Sequence, residues 1–109
     1  MTATSTKASE VLAAAANLIE PSGAWTRGAM ARDESGYPLN RHGPCAVCWC
    51  AAGAIDRIAG GMIEAQSALD YVEGLIGDVA RFNDAPNRTK AEVVAALREA
   101  STLAAQDGN

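Results

Sequence analysis

The order of apolar and polar residues predicts four helices. Apolar side chains recur every three or four positions, the spacing of one helix face, in four stretches of the chain. Glycine, proline and polar turn residues separate these stretches. Residues 1–5 and 106–109 lie outside them and are expected to be frayed. The predicted helices cover about residues 7–20, 45–59, 62–82 and 89–105.

Local signals support some of these boundaries. Pro44 suits the first turn of the second helix, where a missing N–H does no harm. Thr89 and Glu92 have the spacing of a capping box, in which each side chain bonds to the other residue's backbone N–H. Gly74 and Gly77 are predicted to be weak or bent points in the third helix.

The segment between the first two helices has no helical period and is rich in glycine and proline. Residues 33–36 fit a turn between two short extended arms. A long irregular loop in a small domain is often functional, and the alternative is a packed surface loop anchored by Trp25. The sequence therefore predicts a mainly α fold, a compact four-helix bundle with a Gly/Pro-rich loop or short β-hairpin between helices 1 and 2.

Length, charge and cysteine usage narrow the class of protein. A chain of 109 residues suits one domain, and a net charge of −4 argues against general nucleic-acid binding, which needs a basic field. The three cysteines do not form a secreted disulfide framework, and no stretch fits a signal peptide or a membrane span. We expect a cytoplasmic protein with reduced thiols, no membrane association and an oligomeric state that the sequence leaves open.

Residues 43–50 resemble the nucleophile segment of papain-type proteases, in which a cysteine opens a helix and the helix N-terminus favours its thiolate. Cys48 would be the nucleophile. Such enzymes need a histidine downstream, whereas the single histidine, His42, precedes Cys48. The alternative is that Cys48 and Cys50 are small buried apolar residues, so no catalytic residue is assigned.

The same segment has the spacing of zinc ligands, H-x2-C-x2-C-x-C. On a helix that begins at Cys45, Cys48 and Cys50 would project about 200° apart, so only His42, Cys45 and one further thiol would converge. Zinc sites usually draw on a second ligand cluster, and the sequence has none. We expect no metal and no cofactor, with His42, Cys45 and Cys48 as the candidates if a metal binds.

The loop after the first helix combines an aromatic residue with arginines. Trp25, Arg27 and Arg32 stand among glycines, and such a group suits a ligand carboxylate, a phosphate or a protein partner. The alternative is a buried Trp25 beside ordinary surface charge at Arg32 and Asp33. On the binding hypothesis, alanine at Trp25 or Arg32 abolishes binding and leaves the fold intact.

A second polar group stands at the joint before the last helix. Asn83 and Asp84 follow one helix, and Arg88 and Thr89 precede the next. These residue types are usual in a turn followed by a helix cap. The alternative is that Asn83, Asp84 and Arg88 hydrogen-bond across to the Gly-rich loop and build or brace a pocket.

Three motifs in a fixed order resemble a small domain family of unknown function found in bacteria and their phages. They are W-T-x-G-A-x-A-R-D, A-V-C-W-C-A-x-G-A and N-D-x-P-x-R-T. Cys48 belongs to the family pattern whereas His42 and Cys45 do not, which counts against both the protease and the zinc hypotheses. The resemblance implies that one set of residues belongs together: Trp25, Arg32, Asp33, Asn83, Asp84, Arg88 and Thr89.

These observations predict a small non-enzymatic binding or accessory module. It engages a protein partner or a small ligand through residues 23–41, and the resemblance implies that a phage or mobile element encodes it. One alternative is a cysteine-dependent enzyme that uses Cys48. The other is a structural subunit of a homo-oligomer, which the alanine-rich helices would suit.

Overall fold

The computed structural model describes residues 7–109, in which one helix precedes a small sheet and four helices follow it. The predicted mainly α fold is confirmed, with a β-hairpin between the first two helices. Within the described residues no helix is long and apolar enough to cross a membrane. The elements are α1 Ala8–Ile19, β1 Ala31–Arg32, β2 Pro38–Leu39, β3 Cys48–Trp49, α2 Ala51–Ala59, α3 Met62–Ile76, α4 Val79–Asp84 and α5 Lys90–Gln106.

Four helices, α1, α2, α3 and α5, form a helical body around an alanine-rich core. Leu12 and Ile19 of α1, Ile55 of α2 and Leu97 of α5 are the largest side chains that are fully buried. Burying each of them contributes about 1.5–3 kcal/mol. Alanines lie between them, so the helices approach closely and α1 packs most extensively against α5.

The sheet lies between α1 and α2 in the chain and has the order β2-β1-β3, with both pairs antiparallel. Ala31 at its centre is opposite Leu39 on one side and Trp49 on the other. Trp49 also forms a parallel bridge to Trp25: its N–H donates to the Ala24 carbonyl at 2.9 Å. The start of the irregular segment and the strand β1 are therefore both tied to β3 by backbone hydrogen bonds.

Helix α2 begins at Ala51, six residues after the predicted start at Cys45. The preceding residues pair with β1 instead: the Val47 N–H donates to the Arg32 carbonyl at 3.0 Å, and the Cys50 N–H donates to the Met30 carbonyl at 3.2 Å. The prediction of a helix from residue 45 is wrong, because a short apolar run suits a strand as well as a helix.

The predicted helix over residues 62–82 is two helices in the structure. Helix α3 ends at Ile76, and Gly77 follows with a φ of 76°, a left-handed conformation that favours glycine. The Asp78 carboxylate then accepts a hydrogen bond from the Arg81 N–H at 2.9 Å and caps α4. The predicted bend at Gly77 is thus a break, after which α4 packs against α2.

The two predicted frayed ends differ. Residues 1–5 lie outside the described part of the chain. Residues 106–109 are held: the Ser9 N–H donates to the Asn109 carbonyl at 3.2 Å, and the Tyr71 hydroxyl donates to the Asp107 carboxylate at 2.8 Å. The tail thus lies against α1 and α3, where its backbone and polar side chains form hydrogen bonds.

Candidate functional site

Asn83, at the end of α4, is the only polar or charged residue within 7–109 that is buried. Its Oδ1 accepts hydrogen bonds from Trp25 Nε1 at 2.7 Å and from the Ala51 N–H at 3.0 Å. Its Nδ2 donates to the Thr26 carbonyl and to Asp84 Oδ1, both at 3.0 Å. The amide thereby uses its full hydrogen-bonding capacity. One side chain joins the 23–41 segment, the start of α2 and α4.

Asp84 and Arg27 extend this connection toward the surface. Asp84 Oδ1 also accepts a hydrogen bond from the Gly28 N–H at 3.0 Å. In return, the Arg27 guanidinium donates to the Asp84 carbonyl at 2.9 Å and to the Ala85 carbonyl at 2.7 Å. The hypothesis that Asn83 and Asp84 hydrogen-bond across to the Gly-rich loop is confirmed for these two residues.

Arg32 stabilises the loop by hydrogen bonds to other residues of the same loop. Its guanidinium donates three hydrogen bonds: Nε to Thr26 Oγ1 at 3.0 Å, one terminal nitrogen to the Gly36 carbonyl at 3.0 Å, and the other to the Arg27 carbonyl at 2.9 Å. All three acceptors belong to the same segment. Arg32, like Trp25, therefore supports the fold, so alanine at either position would disturb the loop itself.

Asp33 forms the turn between β1 and β2. Its Oδ1 accepts hydrogen bonds from the N–H groups of Ser35 at 2.9 Å and Tyr37 at 3.0 Å, while its own N–H donates to the Tyr37 carbonyl at 3.0 Å. A carboxylate that accepts from the amide two residues ahead is the usual stabiliser of such a turn. The turn leaves the Tyr37 side chain 71% exposed.

Arg88 and Thr89 do not reach this network. Arg88 Nε donates to the Phe82 carbonyl at 2.8 Å, and its guanidinium carbon lies 3.7 Å from the centroid of the Phe82 ring. Thr89 and Glu92 form the predicted capping box of α5. The hypothesis that Arg88 hydrogen-bonds to the Gly-rich loop is therefore wrong. Both residues stabilise the joint between α4 and α5.

The three thiols lie in different surroundings. Cys45 is exposed, whereas Cys48 is buried in β3 with its Sγ 3.9 Å from the Arg32 carbonyl oxygen. The N-cap of α2 is Cys50, whose Sγ accepts a hydrogen bond from the Gly53 N–H at 3.3 Å. The prediction that Cys48 stands at a helix N-terminus is wrong, because β3 occupies the residues assigned to the first turns of that helix.

The thiol environment does not favour nucleophilic chemistry. Burial raises the pKa of the Cys50 thiol, and hydrogen bonds from backbone amides at Gly53 and Ala52 oppose this effect only in part. In the described part of the chain, no hydrogen bond joins the His42 imidazole to a thiol. Cys48 therefore lacks the adjacent base that activates a catalytic cysteine.

The proposed zinc ligands are not brought together. Cys48 is buried while His42 and Cys45 are exposed. Across residues 7–109, no group of three or more histidine, cysteine, aspartate and glutamate side chains is placed to hold a metal ion. The residues of the H-x2-C-x2-C-x-C motif are close in the sequence, but their side chains do not converge on one point in the structure.

Sequence reasoning missed a second cluster, which fixes the other end of the loop. The Arg41 carbonyl accepts hydrogen bonds from Trp49 Nε1 at 3.1 Å and from the Arg57 guanidinium at 2.9 Å, and Arg57 lies over the Trp49 ring at 5.5 Å. The Arg41 side chain forms an ion pair with Asp56 at 3.1 Å. These residues belong to three separate segments, and no spacing in the sequence connects them.

The outer side of this segment borders an open cleft of about 410 Å³ between the hairpin turn and residues 44–47, which precede β3. Val47, on its wall, is 46% exposed. The hairpin side contributes two carboxylates. The cleft is lined by Asp33, Glu34, Ser35, Pro44, Cys45 and Val47.

The fold and the site define a small α-rich domain in which a buried asparagine and an arginine brace an irregular hairpin segment. The chain belongs to a family of unknown function, DUF6197, whose sequence profile matches residues 3–103. The resemblance to an uncharacterised domain family is confirmed. No curated protein and no solved structure matches the chain significantly.

Proposed function

We propose that this protein is a small non-enzymatic binding module of the cytoplasm that engages a protein partner through the outer face of residues 33–47. In the bacterial or phage setting that the motifs imply, the partner is a protein of the host cell. The observation that carries the proposal is an exposed cleft with apolar and acidic walls. It lies on a segment that the side chains of Arg32 and Asp33 stabilise through hydrogen bonds.

Rigidity supports a binding role because ordering a loop on association costs free energy. Each side chain that has to be immobilised costs about 0.5–1.5 kcal/mol. Here Arg32 and Asp33 already fix the turn through five hydrogen bonds to neighbouring groups of the segment. The surface is thus formed before a partner arrives.

The chemistry of the outer face indicates the kind of partner. Val47, on the wall of the cleft, is 46% exposed, and Tyr37, which follows the adjoining turn, is 71% exposed; aromatic residues are enriched at protein interfaces. Asp33 and Glu34 place two carboxylates on the wall of the cleft. An open cleft of this kind suits a basic and apolar segment of another protein better than an enclosed small ligand.

The homo-oligomer hypothesis would use a different face. Met62 and Ile63, at the start of α3, are 89% and 82% exposed. These two side chains belong to the helical body, whereas Tyr37 belongs to the hairpin. Substitutions at the two places can therefore distinguish partner binding from homo-oligomer formation.

The test places the photo-crosslinking residue p-benzoylphenylalanine at position 37 and, in a matched protein, at position 63. We expect a discrete adduct with one host protein from position 37 and none from position 63. The captured protein is then purified, and its affinity is measured for the unmodified chain and for Tyr37→Ala and Ile63→Ala. Tyr37→Ala should weaken binding by at least tenfold, the loss of about 1.4 kcal/mol, since an aromatic anchor carries much of an interface's energy.

Ile63→Ala is the matched control because it also truncates a large exposed side chain, and it should bind as the unmodified chain does. Equal affinities for the two variants would contradict the proposal. An adduct between two copies of this chain from position 63 would favour the homo-oligomer instead.

A further inference from the structure

Two sulfur atoms from distant parts of the sequence meet beside the first turn of α2. The Sγ of Cys50 lies 3.8 Å from the Sδ of Met30. Cys50 is buried and Met30 is half-buried. A thiol and a thioether are the two soft ligand types that proteins possess.

The backbone holds this pair in place. The Cys50 N–H donates to the Met30 carbonyl at 3.2 Å. Gly53 permits the approach, because a Cβ at this position would lie only 2.0 Å from the Met30 carbonyl oxygen. The backbones of Met30 and Cys50 are therefore held next to each other, and their side chains extend from adjacent positions.

The pair is accessible from the surface. Met30 and Cys50 both line an open cleft of about 210 Å³, and Asp84 lines the same cleft. Asp84 uses Oδ1 to accept from Gly28 and Asn83. Its Oδ2 accepts no hydrogen bond from the described residues. A cation that enters this cleft meets two sulfur atoms and a carboxylate oxygen.

We propose that Met30 and Cys50 form a binding site for a soft monovalent cation, Cu(I), with Asp84 at its open side. Thiolate and thioether ligands select Cu(I) over harder ions. Two metal–sulfur bonds of about 2.3 Å that meet at a trigonal angle of about 120° place their sulfur atoms about 4.0 Å apart, so the 3.8 Å separation has to widen only slightly to admit the ion.

Binding replaces one proton. The Cys50 S–H bond breaks, the proton passes to solvent, and bonds form from copper to Cys50 Sγ and Met30 Sδ without any change of oxidation state. The Gly53 N–H, at 3.3 Å from Sγ, continues to donate and stabilises the thiolate in the loaded site.

The test uses protein labelled with ¹³C at the methionine methyl groups, in a Cys45→Ser background that removes the exposed thiol. Cu(I) is added under strictly anaerobic conditions with a chromophoric Cu(I) chelator as competitor. We expect one equivalent to bind and to shift the Met30 methyl resonance. Met62, which is 89% exposed, serves as the control in the same spectrum and should not move.

Two further variants identify the ligands. Cys50→Ser keeps an N-cap oxygen for α2 and Met30→Leu keeps a similar volume, so both should fold. Cys50→Ser should abolish the stoichiometric site. Met30→Leu should weaken it by at least about tenfold, since loss of an outer-shell partner alone already costs that much.

A Met30 methyl resonance that stays unchanged at one equivalent of Cu(I) would overturn the proposal, whether or not the variants fold. Unchanged affinity in Met30→Leu would do the same. Binding that is lost in Cys48→Ser but kept in Cys50→Ser would assign the copper to the other buried thiol and equally reject the site. None of these outcomes bears on the hairpin surface, because the experiment contains no partner protein.

Discussion

The helical body and the hairpin segment are held together by different forces. The core of the body is apolar: leucine, isoleucine, valine and alanine side chains of α1, α2, α3 and α5 fill it. The segment between α1 and α2 adds Ala31 and Trp49 to this core but depends more on polar side chains that form hydrogen bonds within it and to it. Asn83 and Arg32 together make seven hydrogen bonds, and five of these have their partner in this segment.

This difference determines how each region tolerates change. Apolar packing is spread over many contacts, and truncation of one large buried side chain to alanine costs about 2–5 kcal/mol. A buried polar network is concentrated, because loss of one member leaves several groups without a partner in a place that water reaches poorly. The hairpin segment is therefore the region whose structure depends on single polar side chains.

Asn83→Ala is expected to have the largest effect. The substitution leaves Trp25 Nε1, the Ala51 N–H and the Thr26 carbonyl without their partner. Each stranded group costs about 1–3 kcal/mol, so we expect the free energy of unfolding to fall by about 4 kcal/mol. Urea denaturation, followed by circular dichroism, measures the change.

The matched control is Gln66→Ala, which removes an exposed amide that donates to Asp70 on the surface of α3. It should change the free energy of unfolding by less than about 0.5 kcal/mol. If Asn83→Ala lost no more than this control, the hairpin segment would not depend on the amide, and the contrast between the two regions would fail.

The next largest effect compares two helical glycines. Alanine at position 53 would place a Cβ 2.0 Å from the Met30 carbonyl oxygen, whereas at position 74 a Cβ meets nothing within 4 Å. Gly53→Ala should destabilise by about 3 kcal/mol, since backbone must move. Gly74→Ala should stabilise by about 1 kcal/mol, the gain in helix propensity.

Thermal unfolding of the two variants provides the measurement, because the same chemical change then shifts Tm in opposite directions. Two shifts of the same sign would mean that helix propensity, and not the contact between α2 and β1, decides the outcome. The interpretation of Gly53 as a close-approach residue would then be wrong.

The sequence predicts the helical body better than the hairpin segment for a physical reason. The spacing that defines α1 and α5 is local, and the capping box at Thr89 and Glu92 lies within four residues, so both can be recognised from neighbours in the chain. The turn at residues 33–36 is likewise local. Predictions failed at residues 45–50, where the structure depends on pairing with β1 and the local spacing suits either a strand or a helix.

The candidate site shows the same division. The motifs bring Trp25 and Asn83 into one group, and a hydrogen bond joins the two side chains in the structure. Their support of the fold could not be predicted, because it depends on the start of α2, which the sequence placed six residues too early. The cluster of Arg41, Trp49 and Arg57 joins three segments through the Arg41 backbone carbonyl. Because every residue has a carbonyl, the sequence does not indicate which one accepts these hydrogen bonds.

The smallest effect concerns an ion pair that ties the helical body at its surface. Arg98 of α5 donates to both carboxylate oxygens of Glu20, at 2.7 and 3.2 Å. These hydrogen bonds and the positive charge lower the pKa of Glu20 below its ordinary value of 4.5. Since the folded-state pKa is the lower one, the pair adds stability at neutral pH, and this stability is lost as the pH falls below 4.5 and the folded protein takes up a proton.

Arg98→Ala should therefore flatten the dependence of the free energy of unfolding on pH below 4.5, and Arg81→Ala should leave it unchanged. Arg81 is an exposed arginine whose side chain has no charged partner among the described residues, so the control removes the same charge without an ion pair. Glu92, whose pKa is also lowered, chiefly by the Thr89 N–H, keeps its own acid dependence in both variants. Urea denaturation at several pH values between 3 and 7 gives the comparison. Parallel curves for the two variants would show that this surface pair does not stabilise the helical body, which would then depend on its apolar core alone.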